Sequence, residues 1–247
     1  MSGLKTASIY SLPSYSLGYC GPQDAESRKA LFDYASGKKV DEQIIRNIFE
    51  KFEAAYKYYQ LIANKNSIAD PLDEKVVEAF WVGNSLLDSV NEQDLKNLIL
   101  TGFTEPGLLS KKVATQRAGQ VPKGAVPHHS FHVLILGAVT GRIKLQGELL
   151  DLCRIGWGRV VEVKEKKLKV KCRLLVVGKK YELGREVEKE IEWDPKIAPG
   201  VKVGDWVSFH WAQACEVLTD EEVKNLEYYT QETIYLINKG RLTNVRH

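Results

Sequence analysis

Cysteine and histidine are scarce in this chain, with 4 cysteines and 5 histidines among 247 residues. The cysteines lie far apart and form no CxxC pair, so the sequence indicates neither a disulfide framework nor a zinc ribbon. Chemistry that depends on a thiol or an imidazole is therefore confined to a small number of positions.

Long apolar runs are also missing. No stretch approaches the ~20 apolar residues needed to cross a bilayer, and the N-terminus carries no secretory hydrophobic segment. We therefore expect a cytoplasmic protein without a membrane-spanning segment. The net charge of +3 is too slight to indicate nucleic acid as a partner. The length suits one large core or two modest domains.

The first half of the sequence has helical periodicity, and we predict a mainly helical domain over residues 1–148. Residues 1–24, rich in Ser, Tyr, Gly and Pro, are predicted to form an irregular packed arm. Residues 104–127, broken by prolines and glycines, are predicted to form a long surface connection. The predicted helices cover residues 24–34, 41–63, 70–81 and 91–100.

From Cys153 onward the apolar period changes to two. Leu168, Val170 and Cys172 alternate with charged residues, which is typical of a strand with one buried face and places Cys172 inside. Residues 201–218 are predicted to form one final long strand.

A helix is predicted after this strand, because Thr219 and Glu222 have the spacing of a capping box. Several short strands of this kind favour a small OB-like barrel. The fold class predicted for the whole chain is α+β, with the helical domain followed by an OB-like barrel and a C-terminal helix over residues 149–247.

Cys20 lies on a turn between Gly18 and Gly21, and Pro22 follows it. A turn before a helix N-terminus can lower a cysteine's pKa, which makes Cys20 a candidate catalytic nucleophile or metal ligand. The same turn also accommodates a small buried thiol without a chemical role. The residues leave both interpretations open.

Three of the five histidines, His128, His129 and His132, fall within five residues. His128 and His132 share one face, but only a helix brings their imidazoles close enough to bind one metal ion. The apolar residues 133–136 equally suit a buried strand, in which case a shared metal fails. The glutamate of the HExxH zinc proteases is absent. A metal site and a purely structural role both stay open.

Two motifs in the second half form a combined pattern. Cys153 and Arg154 precede a glycine-marked turn and a strand with the sequence Gly158-Arg159-Val160-Val161-Glu162. His210 lies in a strand that begins Val203-Gly204-Asp205-Trp206-Val207. This combination resembles the HypC/HupF family, the small chaperones of [NiFe]-hydrogenase maturation, with Trp157 standing where proline is usual. The resemblance covers residues 153–247 and none of the preceding chain.

The resemblance implies that Cys153 holds an iron carrying cyanide and carbon monoxide, with His210 beside it. It further implies that this unit is handed between a HypD-like scaffold and the precursor of the hydrogenase large subunit. A thiolate suits low-spin iron but must be deprotonated to bind. Arg154, Arg159 and His210 are candidates for the positive field that lowers the pKa of Cys153. The alternative interpretation of Cys153 is a buried residue that joins two domains.

The helical half lies outside the resemblance, and three hypotheses address it. In the first, Cys20 and the histidines at 128, 129 and 132 form a second iron or zinc site facing Cys153, in a self-contained holder or assembly enzyme. The second is a cysteine-dependent hydrolase or transferase with Cys20 as nucleophile and one histidine as base. The third is a non-catalytic adaptor that docks a partner on the barrel and the terminal helix.

Overall fold

Nine helices precede the first strand in the part of the chain that the structure describes. The structure, a computed structural model, describes residues 1–244, so residues 245–247 at the end of the predicted second domain lie outside the described residues. The helices are α1 (Gly3–Ser16), α2 (Ala25–Ala35), α3 (Glu42–Glu50), α4 (Ala55–Lys65), α5 (Glu74–Trp81), α6 (Glu92–Asn97), α7 (Lys111–Gly119), α8 (His129–Phe131) and α9 (Glu148–Cys153). A 3-10 turn (Ser85–Ser89) and two π turns (Leu98–Gly102 and His132–Leu136) connect or extend them.

Several of these helices begin where the sequence predicts. The side chains of Asp24, Asp41, Asp73 and Asn91 each accept a hydrogen bond from a backbone N–H of the following first turn. The predicted helix 41–63 is wrong in one respect, because α3 and α4 are separate helices. Both bury their apolar faces in the same core, so the apolar period continues across the break and conceals it.

Helix α1 corrects the prediction of an irregular arm over residues 1–24. It is buried along nearly its whole length, from Gly3 to Tyr15, and it contains Pro13. A helix buried on every side has no alternation of polar and apolar faces, which removes the usual sequence signal. Residues 104–127 likewise contain a helix, α7, which begins at the N-cap Ser110.

The strands close into a barrel with the order β1-β2-β3-β5-β4. The five strands are β1 (Gly156–Val163), β2 (Lys167–Val177), β3 (Tyr181–Glu192), β4 (Trp206–His210) and β5 (Gln213–Leu218). All pairs are antiparallel except β3 with β5, which is parallel. Cys172 is buried inside, as predicted.

The predicted single strand 201–218 is wrong, because β4 and β5 form a hairpin. The turn consists of Trp211 and Ala212, with φ of 51° and 57°, and His210 pairs with Gln213. Two positive φ angles suit a tight hairpin turn, but Gly, Asn and Asp are the residues that usually supply them. A Trp-Ala turn therefore carries no recognisable sequence signal.

Helix α10 (Asp220–Asn244) follows β5 and confirms the predicted C-terminal helix. Its capping box is present: the Glu222 N–H donates to Thr219 Oγ1, and the Thr219 N–H donates to Glu222 Oε2. Leu226 and Tyr229 of this helix join the largest hydrophobic cluster, which also contains residues of helices α1 to α7 and of the barrel. The division into domains at residue 148 stays a prediction. Within residues 1–244, none of the helices combines the length and apolar character that crossing a membrane requires.

Candidate metal centre

A cavity of about 70 Å³ lies where the helices meet the barrel. Its wall contains the thiols and imidazoles of five residues that the sequence singles out, namely Cys20, His129, His132, Cys153 and His210. The motifs of the two halves therefore open onto one space.

Three of these side chains converge. One ligand atom each from His129, Cys153 and His210 lies within 4.8 Å of the other two, the one group of this kind found among the described residues. Metal bonds of about 2.0–2.3 Å to nitrogen and sulfur separate the ligands of a tetrahedral site by roughly 3.5 Å. A shift of about 1 Å in the side chains is thus enough to close the three atoms around one ion.

The ring of His210, the last residue of β4, is held in a fixed orientation. Its Nδ1 lies 2.7 Å from the backbone oxygen of Tyr10. Because a carbonyl oxygen only accepts, Nδ1 carries the proton and the neutral ring presents a bare Nε2. This Nε2 is buried and has no hydrogen-bond partner among the described residues. Metal-binding histidines commonly have their second nitrogen fixed in this way.

His129 lies at the start of α8, against aromatic rings. Its ring centroid is 4.5 Å from that of Trp81 and 5.3 Å from that of His210. Its Nδ1 is buried without a partner in the described part of the chain. Burial lowers the pKa of His129 well below the ordinary value, and the neighbouring histidines add to this effect. Burial also lowers the pKa of His210 to about 4, opposed by the backbone oxygens of Tyr10 and Cys153. Both rings are therefore neutral near pH 7, as ligands must be.

Cys153 ends α9, and its thiol does not have the lowered pKa that the sequence analysis expects. Burial raises the pKa, while the nearby indole N–H of Trp211 opposes the rise. The Arg154 guanidinium is buried and binds elsewhere, donating to Asp151 Oδ1 and to the backbone oxygen of Arg173. Arg159 is exposed and donates to the backbone oxygen of Gly204. Neither arginine is therefore among the causes that set the pKa of this thiol.

The other two histidines of the run have different surroundings. His132 faces the cavity, and its Nδ1 lies 3.3 Å from the Tyr58 hydroxyl. His128 does not belong to the described lining of the cavity. Its Nδ1 accepts a hydrogen bond from the Ser130 N–H, and its ring stacks on Tyr229. The run is helical, but the histidine that meets Cys153 and His210 is His129 rather than the same-face pair 128 and 132.

Cys20 is held as a protonated thiol. Its Sγ lies 3.0 Å from Ser14 Oγ, and Ser14 donates its own proton to the backbone oxygen of Ser11. In this arrangement Cys20 donates to Ser14, although the same hydrogen bond opposes the rise of the Cys20 pKa. Burial raises the pKa of Cys20 to about 12, so the lowered pKa that its turn suggested is not found.

The chain segment between the π turn and α9, residues 137–147, covers the cavity without helix or strand. Val139 and Leu145 are among its lining residues. Arg142 fastens it by donating to the backbone oxygen of Gly21 at 3.0 Å and by pairing with Glu53. Thr140 Oγ1 also donates to the backbone oxygen of Tyr19. None of these contacts is indicated by the sequence.

Comparison with known proteins places the chain in a family. A family model matches residues 1–244, which includes both the helices and the barrel. The chain belongs to the "Family of unknown function (DUF6390)". Comparison with the curated proteins and with the solved structures gave no match.

In this DUF6390 chain, one thiol and two neutral imidazoles converge in a mostly apolar cavity. This donor set suits zinc, iron, nickel or copper, whereas magnesium and calcium prefer oxygen ligands. Three protein ligands also leave a coordination position open.

Proposed function

We propose that this protein binds a transition metal ion through His129, Cys153 and His210, and that the metal is an iron unit held during assembly of the [NiFe]-hydrogenase active site. The observation that carries the proposal is the convergence of the three ligand atoms within 4.8 Å. Two of these side chains, Cys153 and His210, belong to the motifs on which the HypC/HupF resemblance rests.

The burial of the candidate ligand atoms and their lack of hydrogen-bond partners among the described residues support metal binding. Two buried imidazole nitrogens without partners among the described residues, His129 Nδ1 and His210 Nε2, are unfavourable unless something binds them. A metal ion bound through these two nitrogens satisfies both at once, and it also stabilises the thiolate of Cys153, which burial otherwise disfavours. Zinc is the alternative ion for the same donor set.

The resemblance favours a carrier over an enzyme. A carrier receives the iron unit from a HypD-like scaffold and passes it to the precursor of the hydrogenase large subunit. Bound cyanide and carbon monoxide then belong to the cargo, and the protein supplies the thiolate, the imidazoles and a cavity with few polar groups.

The test is anaerobic purification followed by metal analysis and infrared spectroscopy. We expect bound iron, with cyanide and carbonyl stretches, in the wild type and a loss of most of the metal in Cys153→Ala. Cys172→Ala is the matched control, because Cys172 is buried inside the barrel. Equal metal content in the two variants contradicts the site, and metal without the two stretches contradicts the iron cargo.

A second candidate is a cysteine-dependent or metal-dependent enzyme that uses Cys20. The observation in its favour is that Cys20 shares the cavity with three imidazoles. The raised pKa of its thiol speaks against a nucleophile. Rapid alkylation of Cys20 near neutral pH supports this candidate, whereas absence of metal together with an unreactive Cys153 favours a non-catalytic adaptor.

A further inference from the structure

Four buried polar atoms without a hydrogen-bond partner among the described residues belong to side chains that line this one cavity. Two are the imidazole nitrogens of His129 and His210. The other two are hydrogen-bond donors, the hydroxyl of Ser11 and the indole N–H of Trp211. Ser11 is 1% exposed and Trp211 is 8% exposed. Buried donors of this kind are almost always paired in proteins, so an acceptor that enters the cavity from outside the chain satisfies both.

The nearest polar groups of the protein do not supply this acceptor. Ser11 lies beside the Tyr59 hydroxyl and Trp211 lies beside the Cys153 thiol, each close enough to lower the neighbour's pKa. Within the described chain, however, neither donor reaches hydrogen-bonding geometry. Trp211 is also held in place, because its ring packs on Tyr19 with centroids 4.8 Å apart.

The charge of the site indicates the kind of acceptor. A divalent ion held only by one thiolate and two neutral imidazoles, with no cyanide bound to it, retains one positive charge. None of the described residues in the cavity wall is Asp, Glu, Lys or Arg. An uncompensated charge in such surroundings is unfavourable, and one monoanion cancels it.

We infer that Ser11 Oγ–H and Trp211 Nε1–H bind one small inorganic monoanion at the position that His129, Cys153 and His210 leave open. The inference rests on the proposed metal site. The cavity of about 70 Å³ limits the anion to a few non-hydrogen atoms, since one water molecule needs about 10–15 Å³ on the same measure.

Cys20 is the competing source of negative charge, because its thiol also lines the cavity. Two observations count against it. Its thiol is hydrogen-bonded to Ser14 Oγ at 3.0 Å, and Cys20 does not belong to the group of ligand atoms that converge within 4.8 Å in the described chain. Neither observation applies to an anion that enters the cavity from solution.

The experiment uses the full chain loaded with Co²⁺ under anaerobic conditions and titrated with sodium azide. We expect azide to change the visible cobalt spectrum. Ser11→Ala and Trp211→Phe are each expected to weaken azide binding about tenfold when the proteins are compared at equal cobalt loading, because each removes one hydrogen bond to a charged group. Trp206→Phe is the matched control, since Trp206 is a barrel tryptophan outside the described cavity lining.

The outcomes separate the two proposals. A wild type that binds no cobalt overturns the proposed function, and this inference with it. Cobalt binding with a spectrum that azide leaves unchanged, or with equal azide affinity in all variants, overturns the inference alone. A thiolate-to-cobalt band that falls by half in Cys20→Ala also overturns it, because Cys20 is then the fourth ligand.

A measurement without substitutions covers the case in which a variant does not fold. In the wild type loaded with Zn²⁺, which is diamagnetic, the indole N–H resonance of Trp211 is expected to move downfield on addition of azide. An unchanged resonance in protein that holds zinc contradicts the inference.

Discussion

The backbone oxygen of Tyr10 accepts a hydrogen bond of 2.7 Å from Nδ1 of His210, two residues 200 positions apart in the sequence. The bond ties helix α1 to strand β4 and fixes the orientation of the imidazole. The Tyr10 side chain secures the same contact, because its hydroxyl donates to Glu216 and its ring stacks on Trp81. The Nε2 nitrogen of His210, a candidate metal ligand, is therefore positioned by the packing of α1 against the barrel.

Substitution of two neighbouring histidines is expected to distinguish a metal ligand from a residue with a structural role. His129→Ala should lose most of the bound metal, because His129 supplies one of three converging ligand atoms. His128→Ala should retain the metal, because its imidazole packs on Tyr229 outside the described cavity lining. Metal analysis of both variants, with circular dichroism to verify folding, makes the comparison. Equal losses in two folded proteins contradict the assignment.

Glu216 is expected to make stability depend on pH. Burial, the largest cause, and the nearby Glu222 and Glu78 raise the pKa of Glu216 from 4.5 to about 7, although its hydrogen bond from Tyr10 opposes the rise. Ionisation is thus harder in the folded state than in the unfolded state. The stabilisation by the protonated form is complete below about pH 4.5 and is lost as the pH rises through about 7.

Glu216→Gln should therefore be more stable than the wild type above pH 7, by about 3 kcal/mol, with the difference shrinking toward pH 4.5. Urea unfolding at a series of pH values measures this difference. Exposed Glu50→Gln is the control and should show no such trend. A difference that is constant with pH rules out titration of Glu216 as its cause.

Arg142 is expected to control access to the cavity. Arg142→Ala removes the ion pair with Glu53 and the hydrogen bond to Gly21 that fasten residues 137–147. Alkylation of Cys20 and Cys153, followed by peptide mapping, should become about fivefold faster, as expected for the loss of about 1 kcal/mol.

The control for this prediction is Arg46→Ala, which breaks the two-pronged contact with Asp70 outside the described cavity lining. Its alkylation rates should match those of the wild type. Equal acceleration in both variants indicates a general loss of stability rather than opening of this segment.

Gly156 is expected to stabilise the closed barrel, because the position leaves no room for a side chain. It pairs with Phe209 across β1 and β4, and a Cβ atom at this position would overlap the Phe209 ring. Gly156→Ala should therefore cost about 2 kcal/mol of unfolding free energy. Gly178→Ala is the control, since its nearest neighbour would lie 3.8 Å away, and it should stay within about 0.5 kcal/mol of the wild type. Similar denaturation midpoints for the two variants contradict the prediction.

The sequence predicted the barrel better than the helical part, for a physical reason. Strand β2 has one buried face and one exposed face, so its pattern alternates and identifies it. Helix α1 is buried all round and produces no pattern. The Trp211–Ala212 turn was missed because its left-handed backbone is formed without the usual turn residues.

The sequence indicated side chains of the candidate site, but it did not indicate the contacts that hold them in place. The motifs indicated Cys153 and His210, and the structure brings them together. Among the three clustered histidines, the choice of His129 depends on the rotation of a short helix about its axis, which the sequence pattern does not determine. The Tyr10 contact is made by a backbone oxygen, which every residue type carries, so the sequence contains no signal for it.

The three converging ligand atoms come from separate places in the chain: the start of α8, the end of α9 and the end of β4. A fragment that begins at residue 149 retains Cys153 and His210 but lacks both His129 and the carbonyl that orients His210. An ion bound at this point acts as a cross-link between remote parts of the polypeptide, so its affinity and the unfolding equilibrium are linked. We therefore expect release of a bound ion to loosen the junction between the helices and the barrel.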